Sequence, residues 1–278
     1  MLFRQMTERY RQGCNFVSQY IFAHAFPLAF TKLSKTLYPI LRKVFALKSQ
    51  LAQSVVKTTI ARYKTVKEQL YRHPFQYKDR DETWKQITKT LDWLWNPIQF
   101  RRPQADLVRN RDYSFVEDGS TLSINTLGKR TKCTFQGKPF AKYLDGTWKL
   151  GTAKLVALKG LWYLHISVSK ETEPFQKENV QHVVGIDRGL RFLMVSYDEK
   201  GNTDFVSGKK IAAKRHKFQE IRKELQAKGT KAAKRRLKAL SGRENRWMSD
   251  VNHRMSKTLV EKYGKDTLFV LEDLTGVS

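Results

Sequence analysis

The spacing of apolar residues changes twice along this chain, and each spacing is compatible with one kind of regular structure. A helix brings every third or fourth residue to one face, whereas a strand brings every second residue to one face. Residues 1–80 follow the helical spacing, and the two-residue spacing takes over within residues 81–175. From residue 176 to 278, short apolar runs alternate with long helical stretches. The pattern predicts a multidomain protein of α/β and β class, with N-terminal helices, a β region and an α/β region.

The N-terminal helical pattern places a cysteine on an apolar face. Cys14 belongs to a series of five residues between Met6 and Ile21 that are spaced three or four apart, so we expect a buried thiol. Cys133 is the only other cysteine of the 278 residues. Two distant cysteines exclude a disulfide framework and a four-cysteine zinc site, which favours a reducing, cytoplasmic setting.

Residues 12–31 carry no formal charge over a length that would span a bilayer. Polar residues interrupt this stretch at Asn15, Ser18 and Gln19, and Pro27 follows. It therefore lacks the compact apolar segment of a membrane span or a signal peptide. We expect a core helix that ends near Pro27, and no membrane partner.

The β region contains five runs with strand character, separated by residues that favour turns. Several short strands at this spacing predict a small barrel. His165 lies on the polar face of the last run, which favours a surface or RNA-facing residue over a metal ligand. The predicted strands are residues 113–117, 121–125, 131–135, 148–158 and 162–169.

The last hundred residues predict three strands, two long helices and a final strand. The first strand is the run HVVGID, and the next two cover residues 190–197 and 203–206. The closing run, TLFVLED, is apolar and typical of a buried strand. The order of strand, turn, strand, strand and helix is that of a core similar to RNase H.

An excess of basic residues predicts a polyanionic partner. The chain has 53 Lys and Arg against 26 Asp and Glu, a net charge of +27, and 18 of the basic residues but 5 of the acidic ones fall within residues 209–262. Such helices suit a phosphate backbone, although a solvated helical surface would explain the same charges. His253 is open to two interpretations, a nucleic-acid contact or packing. The candidate contacts are Lys214, Arg215, Arg222, Lys234, Arg235, Arg236, Lys238, Arg243, Arg246 and His253.

Two acids follow apolar strands, at Asp187 and Glu272. Two-metal phosphoryl chemistry requires carboxylates held rigidly at such strand ends. Acids also end strands as turn formers or caps, and either residue alone is a weak signal. The RNase H-like order of the intervening elements favours the catalytic interpretation, in which Asp187 and Glu272 are catalytic residues and metal ligands.

Aromatic and basic residues alternate in two stretches, residues 75–78 and 93–102. Aromatic rings beside cations suit the stacking of unpaired bases. Trp93 and Trp95 lie two positions apart, so a helix would turn one of them away from the core. Core packing of at least one of them is the alternative.

Three runs carry a resemblance to a known family: VVGIDRGLRFLMVSYDEKG, the basic stretch from KFQEIRKEL to VEKYG, and LFVLEDL. They resemble the OrfB/TnpB transposon family, whose members are relatives of type V CRISPR effectors. The resemblance implies a RuvC-like nuclease domain over residues 176–278, with Asp187 as its first catalytic acid, Glu272 as its second, and Mg²⁺ as its cofactor. It also implies helices that recognise nucleic acid over residues 1–80, a wedge-like barrel over residues 81–175, and a guide RNA and a target DNA as partners.

The chain departs from this family pattern at both ends. The family continues with a zinc ribbon and a third catalytic Asp, and it begins with a barrel strand. We therefore expect a fragment with an incomplete nuclease domain, impaired cleavage, and zinc only in the missing ribbon. A nuclease-inactive RNA-guided DNA-binding protein and a generic basic RNA-binding protein are the alternatives.

Overall fold

A computed structural model describes residues 1–116, 120–136, 138–174, 176–189, 191–240 and 242–272, without the side chains of residues 138 and 139. The chain divides into two compact units, Met1–Thr172 and Glu173–Ser278. The boundary falls near residue 175, where the sequence predicts the start of the nuclease region. The first unit contains the helical and β regions together.

Three helices open the first unit: α1 (Leu2–Ala23), α2 (Phe30–Lys43) and α3 (Ser49–Arg72). The helical spacing in α1 is confirmed, because all five residues of the series that contains Cys14 are buried. Burial raises the pKa of the Cys14 thiol to about 12, as expected for a core thiol. Gly13 allows this close packing, since a Cβ atom there would lie 3.2 Å from Leu47 and 3.3 Å from Leu41.

A partly buried chain of hydrogen bonds links these helices to the β region. The hydroxyl groups of Tyr10 in α1 and Thr58 in α3 are 2.7 Å apart. Thr58 donates a hydrogen bond of 2.6 Å to Asp106. Because Asp106 belongs to a strand, the helices and the strands of this unit share polar as well as apolar contacts.

The strands of the first unit form three small antiparallel sheets. One is a hairpin of β1 and β2, the second has the order β3-β7-β8, and the third has the order β4-β5-β6. The strands are β1 (Phe75–Lys78), β2 (Trp84–Ile87), β3 (Gln104–Leu107), β4 (Tyr113–Phe115), β5 (Thr121–Asn125), β6 (Arg130–Thr134), β7 (Lys149–Leu158) and β8 (Leu161–Ser169).

The predicted barrel is not seen as a closed ring of strand pairs in the described part of the chain. The two three-stranded sheets instead contribute Leu122 and Leu155 to one apolar core, which they share with the helices. Sheets that bury a face in this way need no hydrogen-bonded closure. The five predicted strands appear within a residue or two of their expected bounds, while Glu117 lies outside the described residues. The hairpin and β3 were not predicted, because residues 75–107 show no sustained apolar period.

In its described residues, the second unit is a four-stranded sheet with three helices. Its strands are β9 (His182–Asp187), β10 (Phe192–Asp198), β11 (Thr203–Ser207) and β12 (Thr267–Leu271), and its helices are α4 (Lys209–Lys228), α5 (Lys231–Leu240) and α6 (Arg243–Tyr263). The sheet order is β11-β10-β9-β12. Strand β10 runs antiparallel to both neighbours, whereas β12 runs parallel to β9. The three helices make the connection that such a parallel pair requires.

Where the sequence predicts two long helices, the structure has three. Gly229 ends α4 at φ 59°, and Gly242 precedes α6 at φ 78°. Positive φ is the conformation that glycine adopts without steric cost, so these two residues separate α5 from its neighbours. Residue 190, at the start of the predicted second strand, lies outside the described residues.

Across the described ranges, no helix combines the length and the apolar character that a membrane crossing needs. The uncharged stretch of residues 12–31 instead covers the second half of α1 and the loop before α2. Its polar Ser18 is buried and donates a hydrogen bond of 2.6 Å to the carbonyl oxygen of Ile98.

Candidate functional site

The carboxyl ends of two adjacent parallel strands carry the two predicted catalytic acids. Asp187 is the last residue of β9, and Glu272 directly follows β12. The register pairs Ile186 with Leu271, so Asp187 and Glu272 occupy the next positions side by side. Neighbouring strands lie about 4.8 Å apart, which brings the two backbones within reach of one shared ion.

Both acids belong to the open face of the sheet. Val184 and Ile186 are buried against Leu259 of α6, whereas Gly185 and Asp187 alternate with them and are exposed. Glu272 is also exposed, as are Val270 and Leu271 before it. Both acids are therefore accessible to solvent at this end of the sheet.

Other acids near these strands have structural roles that Asp187 and Glu272 lack. Asp198 accepts a hydrogen bond of 3.0 Å from the Asn202 side chain, and this bond lowers the pKa of Asp198. Glu199 lies 2.8 Å from Nδ1 of His182, whose hydrogen bond lowers the pKa of Glu199. Neither the Asp187 nor the Glu272 side chain has a hydrogen-bond or ion-pair partner among the described residues. Within those residues, neither side chain acts as a turn former or a cap.

The donor chemistry of this strand edge fits a hard cation. Two carboxylates supply oxygen ligands, and Mg²⁺ is commonly held by one or two carboxylates together with substrate phosphates. Within the described ranges, no cluster of three or more His, Cys, Asp or Glu residues could hold a metal ion. The two carboxylates by themselves thus fit a Mg²⁺ ion. The assignment of Asp187 and Glu272 as catalytic residues and metal ligands stays a prediction.

The ten predicted nucleic-acid contacts lie on the three helices of the second unit, and three of them are engaged within the protein. Arg222 donates a hydrogen bond of 2.6 Å to Glu244, and Arg215 lies 3.7 Å from the same carboxylate. The Lys214 ammonium lies 4.5 Å from the ring centroid of Trp247. Sequence reasoning did not find the roles of Glu244 and Trp247, since each meets its partner across helices and no sequence spacing marks the pair.

The other seven have no side-chain hydrogen bond or ion pair with any residue that the structure describes, and all are exposed. Four of them lie on α5, which buries Ala233 and presents its basic residues to solvent. His253 is exposed on α6, which does not support the packing interpretation. The seven are Lys234, Arg235, Arg236, Lys238, Arg243, Arg246 and His253. Their nucleic-acid contacts stay a prediction.

Comparison with known proteins finds a family model that is similar to this second unit. Residues 165–275 match the family model OrfB_IS605, described as "Probable transposase". This segment of the chain is therefore similar to the OrfB family. The matched range contains the strand-end acids and all three basic helices, so the resemblance of the quoted runs is confirmed. No curated protein matches the sequence.

Solved structures similar to this chain include two cryo-EM complexes. One is described as a CRISPR-Cas12f ternary complex, with 12% identity and a TM-score of 0.42 over 98% of this chain and 62% of that one. The other is a Cas12f1–sgRNA–target DNA complex, with 12% identity and a TM-score of 0.29 over 99% of this chain and 68% of that one. The chain thus spans about two thirds of the length of these proteins.

Proposed function

We propose that this OrfB-family protein is an RNA-guided DNA-binding protein whose RuvC-like unit hydrolyses DNA phosphodiester bonds at Asp187 and Glu272. One observation supports the proposal: the in-register pairing of Ile186 with Leu271 brings to the same strand edge two carboxylates that have no partner among the described residues. A generic basic RNA-binding protein would have no use for such a pair.

In this proposal the two acids hold one Mg²⁺ ion on the open face of the sheet. The ion, when bound, supplies Lewis-acid stabilisation of the charge that develops on the phosphate. Asp187 and Glu272 contribute anionic oxygens at a fixed separation, because each is anchored by a strand. A site built on one ion lacks the second positive charge that two-metal nucleases place on the leaving oxygen. We therefore propose that cleavage by this chain is slow.

The basic helices supply the binding in this proposal. Each phosphate that a Lys or Arg neutralises releases counterions, which favours binding of any sequence. The target sequence is then selected by base pairing with a guide RNA, as in RNA-guided systems generally. The seven exposed side chains of α5 and α6 suit a guide–target duplex. Contacts to the phosphate backbone hold such a duplex without recognising its base sequence.

The test is a guided plasmid-nicking assay in Mg²⁺ with the full chain, together with Asp187→Ala. A matched control is Asp250→Ala, which removes an exposed acid on α6 that pairs with Arg254 at 2.9 Å. We expect slow nicking by the unchanged chain and by the control, and none by Asp187→Ala. Guided DNA binding should survive in all three proteins.

Two outcomes would contradict the proposal. Nicking that persists in Asp187→Ala would place the chemistry elsewhere. Guided binding without nicking in any variant would favour the nuclease-inactive alternative, in which the basic helices act alone.

A further inference from the structure

An aromatic row crosses one face of the β1–β2 hairpin in the first unit. The pairing of Phe75 with Ile87 and of Tyr77 with Lys85 places these four residues on the same face. The rings of Phe75 and Tyr77 are stacked, with centroids 6.1 Å apart and planes inclined by 21°. Trp93, in the short turn after the hairpin, extends the row at 5.8 Å from Phe75.

Most of this row is open to solvent, while Tyr77 is half-buried. Phe75 and Ile87 are each 45% exposed, and Trp93 is 40% exposed. None of the residues of β1 or β2 belongs to the buried core of the unit. A solvent-exposed two-stranded hairpin gains little stability from such side chains, and contiguous exposed apolar surface is typical of a binding site.

Charges around the row are balanced. Residues 75–93 contain four basic and four acidic residues. Lys85 is paired with Asp79, and the Lys89 ammonium lies 5.8 Å from the centroid of Trp93. The hairpin by itself therefore attracts phosphates only weakly. The attraction comes from the rest of the chain, whose net charge is +27 in total. Its distinctive chemistry is a set of ring faces with a neighbouring cation.

We propose that the Tyr77–Phe75–Trp93 row is a stacking site for unpaired bases of single-stranded nucleic acid. Aromatic side chains hold successive bases without reading their identity, because every base has a π face. The near-parallel planes of Tyr77 and Phe75 suit flat ligands better than the irregular side chains of a protein partner. The proposal rests on the proposed function only in that the chain holds nucleic acid, part of which is single-stranded.

The experiment compares two fluorescein-labelled 15-mers in anisotropy titrations of the full chain. One is oligothymidylate, and the other is an abasic strand with the same number of phosphates. We expect the base-containing strand to bind about tenfold more tightly, within the range for one stacked base. The double variant Phe75→Leu with Tyr77→Leu keeps apolar bulk but removes both rings, and it should bring the ratio close to one.

Two control variants locate the site and verify that the fold is intact. Trp84→Ala removes a 70% exposed ring from the opposite face of the same hairpin, where Trp84 pairs with Lys78. It should leave the ratio unchanged. Tyr77→Phe keeps the ring, loses only the hydroxyl group, and should also retain the preference.

Equal binding of the two strands by the unchanged chain would overturn the proposal and leave a protein partner as the occupant of the row. If Trp84→Ala reduces the preference for the base-containing strand as much as the double variant does, the proposal is also overturned. Failure of guided nicking with the base preference intact would count against the proposed nuclease function and not against this site.

Discussion

At the scale of single residues, the structure separates acids that look alike in sequence. Asp198, Glu199 and Glu244 each hold a partner within the protein, while Asp187 and Glu272 hold none among the described residues. Glu244 is the most enclosed member of an ion cluster, since its side chain is 15% exposed between two arginines. A carboxylate in this position competes with phosphates for the same guanidinium groups.

The first prediction is that Glu244→Gln strengthens nucleic-acid binding. The change releases Arg215 and Arg222, so the slope of log affinity against log salt should steepen by up to about two units. The free energy of unfolding should fall by about 1 kcal/mol, because two partly exposed pairs are lost. Salt-dependent anisotropy and thermal melting measure the two effects.

Asp250→Asn is the matched control for Glu244→Gln. It removes the same charge from the same helix and frees one exposed arginine, Arg254. If Asp250→Asn steepens the slope of log affinity against log salt as much as Glu244→Gln does, then net charge alone sets the affinity, and not the release of the clustered arginines.

At the scale of elements, packing explains the short helix α5 poorly. It spans ten residues and buries Ala233 alone, with its basic side chains exposed. Two glycines with positive φ separate it from α4 and α6. A short basic helix of this kind contributes little to the core, which favours a role at the surface.

The second prediction concerns the exposed basic side chains of α5. Replacing Lys234, Arg235 and Arg236 by Ala should flatten the slope of log affinity against log salt by roughly one unit for each lost phosphate contact. Alanine is a strong helix former, so helicity measured by circular dichroism should not decrease.

A charge-conserving variant provides the comparison: Lys234→Arg with Arg235→Lys and Arg236→Lys should keep the slope of the unchanged chain. An unaltered slope in the alanine variant would remove these residues from the interface.

At the scale of the whole molecule, the two units differ in how much apolar surface they bury. The buried core of the first unit runs through three helices and four strands, and it includes fully buried Tyr10 and Tyr63. The core of the second unit consists of Val184, Ile186, Met194 and Leu259 with a few half-buried neighbours. Since buried apolar area dominates folding free energy, the second unit should be the less stable.

The third prediction is that hydrogen exchange distinguishes the two units. Backbone amides of α1 and α3 should exchange at least about tenfold more slowly than those of β9 and β12, because each 1.4 kcal/mol of local stability is one factor of ten. Exchange mass spectrometry of the full chain without nucleic acid measures both. Equal protection in the two units would show that the small core is not the weaker one.

The sequence by itself determined the elements that depend on local pattern. The helical spacing around Cys14, five strands of the β region and the apolar runs of β9 and β12 are visible without tertiary information, because burial imposes a fixed period on each. The sequence also shows that Asp187 and Glu272 follow the apolar runs of β9 and β12. The catalytic role of these two acids stays a prediction. The family resemblance came from the same runs.

Tertiary structure alone decided what meets across elements. The two three-stranded sheets share a core with the helices because their strands are short and one face of each is apolar, and sequence period does not specify how such faces combine. The β1–β2 hairpin lacks a buried face, so no apolar period in the sequence predicts it. The Glu244 cluster and the parallel register of Ile186 with Leu271 join residues more than twenty positions apart. Such contacts arise when the chain folds back on itself, and only their geometry shows which charges are paired and which remain available.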